Sequence, residues 1–397
     1  MKTILMIGAG FLQTFVIKRA KDLGYRVICV DGNPEAPGFA YADDYAVINI
    51  VNAEDCLRYA AAQTIDGVMT AATDFGVVTT AYIARELSLP GLNLEAARLV
   101  KNKYCVRKKL YEARADDAEL AYEITNEEQA DAIKNRLSYP VMVKPCDGSG
   151  SRGAVRVDIP EELVSACNLA MANSLSQKAL VEKFITGEEY GVESFVYDGQ
   201  VTVLAIMKKW MTAAPFYAEL GHALPSGLNY SMERRIRTAA ETAIRSLGLD
   251  FGAVNMDLLI TQEGDIHIID IGARMGGNLI GSDIVPLGTG IDYMGNLIRA
   301  AVGDAVVNTP IKCPECVATR LLTLDQGMVI TLPDFSALEK CYGVKICHHL
   351  QIGDEIHTYR TNLDGCGYVV AAGDDVRDAV IRAEKVLAEI NTRIIRG

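Results

Sequence analysis

Two apolar runs that each carry a single acid constrain this chain more than any other stretch. Residues 257 to 278 read Asp257-Leu-Leu-Ile, a turn at Glu263-Gly264-Asp265, then Ile266-His-Ile-Ile-Asp270-Ile-Gly-Ala-Arg274-Met-Gly276-Gly277-Asn278. The two runs and their Gly-containing turn predict a β-hairpin whose strands bring Asp257 and Asp270 to one place. A carboxylate in apolar surroundings is unfavourable without a partner. A divalent cation suits it, because two carboxylates offer hard oxygen ligands to Mg²⁺ while phosphates and water complete the octahedron. Arg274, on the same strand, adds a fixed fork for an anion beside that metal. The competing reading is an ordinary core hairpin with acids at its ends, and the rest of the chain decides between them.

A chain of 397 residues is too long for one ordinary core and predicts about two to four domains. Hydrophobic residues make up 50% and charged residues 23%, a globular balance. With 39 Lys and Arg against 51 Asp and Glu the net charge is −12, and no basic run tracks a polyanion. Nucleic acid and anionic membrane surfaces are thereby excluded as expected partners. Met1 to Ile7 is too short an apolar run for a signal peptide or a membrane span, so a cytoplasmic protein is expected. Its ten cysteines then read as reduced thiols. Cys313-Pro-Glu-Cys316 has zinc-like spacing, but without a second such pair these are read as plain core or surface cysteines.

The chain begins as a βαβ unit: a strand over Thr3 to Ile7, a Gly8-Ala-Gly10 turn, helical spacing from Phe11 to Leu23, and a strand from Tyr25 to Val30 ending at Asp31. A Gly-x-Gly turn with an acid about twenty residues on invites a nicotinamide-cofactor reading. Gln13 stands where the third glycine belongs, so the fingerprint is incomplete. The alternation continues through Tyr45 to Ile50, Glu54 to Ala62, Gly67 to Thr70 and Val77 to Leu87, giving one parallel-sheet domain over 1–98. Leu94 to Glu112 follows as a single charged helical segment with Lys101, Lys103, Arg107, Lys108 and Lys109 on a solvated face.

Tyr139 to Val157 delivers Lys144 at the end of a strand and then a loop of Asp147-Gly148-Ser149-Gly150-Ser151-Arg152-Gly153 before a second strand. Small residues let backbone N–H groups close around phosphate oxygens, and Lys144 and Arg152 add positive charge. This is not a Walker loop, since it lacks Gly-Lys-Ser/Thr and leads into a strand. A merely flexible turn is the alternative. Ala179 to Glu193 reads as a further hairpin bending at Gly187, whose free backbone groups suit an adenine edge. Glu219-Leu-Gly-His222 reads as a loop before an amphipathic helix from about Ser231 to Leu247.

In that order, the Lys144 strand with its Gly/Ser loop, Glu182-x-x-Ile185, Gly187-Glu-Glu189, Asp257 and Asp270-x-x-x-Arg274 resemble the ATP-grasp superfamily. Within it the chain looks most like the carboxylate–amine ligases, including the L-amino acid (dipeptide) ligases. The resemblance implies a mixed α/β and α+β multidomain fold: a Rossmann-like pre-ATP-grasp domain over 1–98, the grasp over 99–308 and a small C-terminal lobe over 309–397. It implies ATP with Mg²⁺ or Mn²⁺ as cofactors, small-molecule carboxylate and amine substrates, and a homodimer. Carried over by position, it implies that Lys103, Lys144 and the loop Gly148, Ser149, Gly150, Ser151 and Gly153 meet ATP phosphates. Glu182, Lys183 and Ile185 would frame the adenine, the last two through backbone groups, and Glu189 would hold the ribose. Asp257 and Asp270 match the metal ligands. Arg274, with Lys144 and Arg152, matches the groups that steady the transferring phosphoryl. Glu219 and His222 match a substrate-pocket pair. Gly272 stands where many members carry a metal-binding Asn, which leaves water or Asn278 as the alternative.

The function expected is therefore an ATP-dependent ligase that forms an amide through an acyl phosphate, with release of ADP and phosphate. The alternatives are carboxylate activation of the biotin-carboxylase or carbamoyl-phosphate-synthetase kind, a non-catalytic ATP-binding grasp protein, and a nicotinamide-dependent oxidoreductase.

Overall fold

The computed structural model describes residues 1–116, 121–148, 152–214 and 216–397. Its amino-terminal part grows from the first βαβ unit. Strand β1 (Thr3–Ile7) pairs in parallel with β2 (Arg26–Asp31) through helix α1 (Gln13–Asp22), and β3 (Asp44–Val47) extends the sheet beyond β2. Helix α2 (Ala53–Ala62) returns the chain to β4 (Gly67–Met69) on the far side of β1, giving the order β3-β2-β1-β4, and α3 (Val77–Glu86) follows. Every residue of β1 is buried, as expected of a parallel strand covered on both faces. The incomplete glycine fingerprint serves the fold. Gln13 Nε2 donates to the Ala71 carbonyl at 2.5 Å, and the Asp31 carboxylate accepts from the Ala9 and Asn33 N–H groups at 2.7 and 2.9 Å.

The segment expected as one helix from Leu94 to Glu112 is two, α4 (Leu94–Val100) and α5 (Lys103–Glu112). Asn102 is the reason, because its side-chain oxygen accepts from the Cys105 N–H at 3.1 Å and an N-cap residue is itself non-helical. That cap fixes Lys103 in the first turn of α5.

A four-stranded antiparallel sheet follows. It is built from β5 (Tyr122–Ile124), β6 (Val141–Pro145), β7 (Val155–Val157) and β8 (Ala179–Lys183) in the order β5-β8-β6-β7. Helices α6 (Glu127–Ile133) and α7 (Leu163–Ala172) share its core, with Leu163, Cys167 and Ala170 buried against Val141, Val143 and Val181. The glycine-rich loop is the β6–β7 connection, as its sequence predicts.

The chain then builds a larger antiparallel surface from β9 (Glu188–Tyr197), β10 (Gln200–Met211), β11 (Glu219–Leu224), helix α8 (Tyr230–Ser246), β12 (Gly252–Ile260) and β13 (Ile266–Gly272). Helices α9 (Val285–Thr289) and α10 (Tyr293–Ala301) lead to β14 (Cys316–Leu321) and β15 (Gly327–Thr331). Next come α11 (Phe335–Tyr342), β16 (Val344–His348), β17 (Glu355–Ile356), β18 (Gly367–Gly373), α12 (Val376–Arg393) and β19 (Ile395–Arg396). Eight of these strands form one sheet in the order β13-β12-β9-β10-β11-β14-β18-β16, while β15 joins β17 and β19 in a small one. The sheet thus crosses the expected 308/309 divide, with Ala223 opposite Ala318 and Leu224 opposite Val317. One core joins Ile4, Phe195, Tyr293 and Tyr368 from all three expected parts.

Two local readings are corrected. Strands β8 and β9 are not a hairpin: β8 pairs with β5 and β6, and β9 with β10 and β12, so residues 184 to 187 cross from one sheet to the other. Glu219 to Leu224 is strand β11 and not a loop, because β10 and β14 offer its backbone ladder partners on both sides.

Candidate active site

Side chains directly opposite across a ladder share a face. Asp270 lies opposite Asp257 in the β12–β13 hairpin, Asp257 opposite Gly191, and Gly191 opposite Met207. Two residues along β10, Lys209 lies opposite His222, and Met211 opposite Glu219. Register therefore gathers Asp270, Asp257, Lys209, His222 and Glu219 on one side of the large sheet, although nothing in their sequence spacing says so.

That face borders a cavity of about 880 Å³, a volume suited to a nucleotide and a small substrate. Lys103, Lys144, Gly148, Arg152, Glu182, Lys183, Ile185 and Glu189 line it, as do Glu219, His222, Asp257, Asp270, Arg274 and Asn278. Ser149, Gly150 and Ser151 lie outside the described residues. Gly153 is not on this wall. It has φ +69°, and a Cβ there would sit 2.9 Å from the Asn173 side chain, so glycine is needed for the loop's exit.

On the phosphate-loop side the charges are interlocked. Lys103 Nζ lies 2.5 Å from both Asp270 oxygens. Burial raises the Asp270 carboxyl, but Lys103 and Lys144 outweigh it and hold its pKa down at about 2. Lys144 Nζ lies 2.5 Å from Glu182 Oε1 and donates to the Ile269 carbonyl at 3.1 Å. Arg107, expected on a solvated face, is instead buried: its Nε donates to Glu182 Oε2 at 2.6 Å and its NH2 to the Ile269 carbonyl at 2.6 Å. Glu182 thus bridges two cations and fixes the direction of Lys144. Burial alone would raise its pKa, and Arg107 and Lys144 lower it below the usual range.

A second cluster centres on Lys209, whose side chain is 2% exposed. Its ammonium lies 2.7 Å from Glu219 Oε1, 2.9 Å from Asp257 Oδ1 and 3.8 Å from Glu189 Oε2. Burial lowers the pKa of this lysine, and Asp257, Glu219 and Glu189 more than reverse that. Glu189 is pushed up to about 7 by burial, against the pull of Lys209. The other Glu219 oxygen accepts from the Asn278 amide, whose own oxygen accepts from Tyr368 at 2.9 Å. His222 is buried with Nδ1 unpartnered, and burial lowers its pKa to about 4, so the ring is neutral at pH 7.

The third group surrounds Arg274. NH1 donates to Asn255 Oδ1 at 3.1 Å, and Asn255 Nδ2 donates to Glu193 Oε2 at 2.9 Å. Glu193 also accepts from the Gly276 N–H at 3.0 Å and the Tyr293 hydroxyl at 2.7 Å, and burial raises its pKa to about 7. Asp74, from the loop after β4, faces Arg274 across a salt bridge of 3.0 Å. A Cβ on Gly272 would lie 2.8 Å from Asp74 Oδ1, so the missing side chain at 272 is what admits this carboxylate.

Asp257 and Asp270 fit Mg²⁺ in the manner of sites that use one or two carboxylates with substrate phosphates. Among the described residues no three His, Cys, Asp or Glu side chains form a protein-only metal site, Cys313 and Cys316 included. Sequence reasoning missed Lys209, Asp74, Arg107, Asn255 and Glu193. Lys209 alone left a signal, as a charged residue in step with the buried Ala205 and Met207 of β10.

Comparison with known proteins gives two domain matches: an ATP-grasp domain over residues 137–283 and the L-amino acid ligase C-terminal domain 2 over 320–394. The chain is similar to D-alanine–D-alanine ligase of Geobacter sulfurreducens, 27% identical over 66% of this chain and 77% of that protein. It is similar to formate-dependent phosphoribosylglycinamide formyltransferase of Trichormus variabilis, 27% identical over 56% of this chain and 55% of the relative. The crystal structure of L-amino acid ligase from Bacillus licheniformis shares its fold, with TM-score 0.85, 23% identity, and coverage of 100% of this chain and 99% of the other.

Proposed function

We propose, from the ATP-grasp domain over residues 137–283 and the L-amino acid ligase C-terminal domain 2 over 320–394, that this chain is an ATP-grasp ligase that joins the carboxyl group of an amino acid to an amine, with release of ADP and phosphate. One observation carries the reading. A single cavity wall holds an arginine fork, two candidate metal acids and the Glu219–His222 pair, in one space with Lys144 and Arg152.

In this reading the γ-phosphoryl group of ATP passes to the substrate carboxylate, and the amine attacks the acyl phosphate that results. Such a transfer asks the protein mainly for positioning and for positive charge around the moving group. Lys144 and Arg152 supply that charge from the phosphate-loop side and Arg274 from the large sheet. Lys103 exchanges Asp270 for a phosphate oxygen when nucleotide enters. Asp257 and Asp270 would hold Mg²⁺ or Mn²⁺, which neutralises phosphate charge. The backbone of Lys183 and Ile185, at the crossing between the sheets, would meet the adenine beside Glu182, and Glu189 the ribose. Gly148 and Arg152, described residues of the glycine-rich loop, line the cavity on the side where the phosphates would lie. Glu219, steered by Lys209 and Asn278, answers the substrate ammonium, with neutral His222 packed beside it. The divisions at 98/99 and 308/309 and the homodimer are part of the same reading.

The test is phosphate release with ATP, Mg²⁺ and pairwise mixtures of amino acids, with nucleotide products separated by chromatography. ADP and phosphate that appear only when an acid and an amine are both present support it. AMP with pyrophosphate, or no turnover across the panel, overturns it.

A further inference from the structure

Lys209 is a charged residue of the cavity wall to which the ligase reading gives no partner in the substrates. It sits in the interior of a sheet strand, nearly shielded from solvent, with a carboxylate approaching from each of three other strands: Asp257 from β12, Glu219 from β11 and Glu189 from β9. Two of these acids, Asp257 and Glu219, flank the ammonium at 2.9 and 2.7 Å, with Glu189 further off at 3.8 Å, and like charges that close are unfavourable without a cation between them.

We propose that Lys209 is a built-in cation standing where a resident metal ion would otherwise bind, dividing the site into a nucleotide half and a substrate half. Its ammonium spans Asp257 Oδ1 and Glu219 Oε1, at 2.9 and 2.7 Å. The second Asp257 oxygen is left to a metal that arrives with nucleotide phosphates, beside Asp270. The second Glu219 oxygen is held by Asn278. A covalently fixed charge suits the boundary. A metal ion shared by Asp257 and Glu219 would draw the substrate acid into the nucleotide's coordination sphere, and a lysine's three directional donors cannot. Lys209 is thus a positioning residue, and its effect is that divalent cation enters this centre only together with nucleotide. The inference rests on the ligase reading for the naming of the two halves, and on the geometry alone for the exclusion of metal.

The experiment is Mn²⁺ binding to the nucleotide-free protein, measured by the paramagnetic resonance of free Mn²⁺, for the wild type, Lys209→Arg, Lys209→Met and Lys209→Met/Glu219→Gln. The wild type and Lys209→Arg are expected to bind Mn²⁺ weakly. Lys209→Met leaves Asp257 and Glu219 without the cation between them and is expected to bind it on the order of tenfold more tightly or better. The added Glu219→Gln returns the affinity toward that of the wild type. Lys209→Met binding Mn²⁺ no more tightly than the wild type overturns the proposal. So does a tight, nucleotide-independent Mn²⁺ site in the wild type, which decides the matter even where Lys209→Met does not fold. Failure of the protein to bind Mg-ADP would instead overturn the ligase reading and leave this comparison standing.

Discussion

Asp74 and Arg274, 200 residues apart, meet in a salt bridge: Nε lies 3.0 Å from one carboxylate oxygen, and NH2 donates to the other at 3.1 Å. The acid comes from the loop after the last strand of the amino-terminal sheet and the arginine from just past the last strand of the hairpin. The contact therefore fastens the first part of the chain to the site at the point where the proposed acyl phosphate would form. A charge-assisted hydrogen bond to NH2 holds the guanidinium in orientation as well as in place.

Asp74→Asn should accordingly lower kcat by roughly ten- to hundredfold while leaving ADP affinity unchanged, since a misaimed catalytic group loses rate before it loses ground-state binding. Gly272→Ala should act in the same direction, because its new methyl group would lie 2.8 Å from Asp74 Oδ1 and push the acid off the arginine. Steady-state kinetics beside ADP titration checks both. Equal losses in kcat and in ADP affinity would mean that the contact serves folding instead.

Lys144→Ala removes a charge-assisted contact to phosphate of about 2 kcal/mol, roughly thirtyfold in ATP affinity. It also releases Glu182 from one of its two cations. Turnover should fall further than affinity, because charge on the transferring group grows toward the transition state. Isothermal titration with an ATP analogue and single-turnover phosphate release separate the two. Unchanged turnover would sink the role given to this lysine.

Glu219→Ala should weaken use of an amino acid and spare ATP. Its carboxylate is the acid that Lys209 and Asn278 hold toward the substrate half. The discriminating measurement is kcat/KM with an amino acid and with its deaminated analogue. If the substitution penalises both equally, or if the wild type prefers the analogue, ammonium recognition by Glu219 is wrong.

Glu193 has a consequence for stability against pH. Its carboxyl, buried under Asn255 and Tyr293, titrates near pH 7 in the folded chain, whereas an unfolded glutamate titrates at about 4.5. Between those values the folded state holds the extra proton, so stability falls as pH rises from about 4.5 to 7, by up to about 1.4 kcal/mol per pH unit for one proton. Glu193→Gln should flatten that part of the profile, whatever it does to the absolute stability. Urea unfolding at several pH values across the window gives the slope, and an unchanged slope would rule out Glu193 as its source.

The local signals in the chain were enough for the parts of this protein that depend on local chemistry. Alternation with a Gly264 turn read correctly as the Asp257–Asp270 hairpin, the glycines after Lys144 as a β6–β7 loop, and Thr3 to Asp31 as a βαβ start. Order of motifs along the chain was enough for the ATP-grasp domain matched over residues 137–283. Partners across the sheets were not legible, because pairing register depends on which strands come together, and a single-residue slip would turn each side chain to the opposite face. The sequence of Ala179 to Glu193 reads as one hairpin, yet its two strands serve different sheets. Glu219 to Leu224 reads as a loop, yet two neighbouring strands complete its hydrogen bonds. Lys209 is one lysine of many until β9, β11 and β12 each bring an acid to it, and Asp74 is a loop residue until the absence of a side chain at Gly272 lets it reach Arg274. The sequence by itself determined which groups could do chemistry. Tertiary structure decided which of them are held facing one another, because burial makes an unpaired charge unfavourable and only the folded sheets choose the pairs.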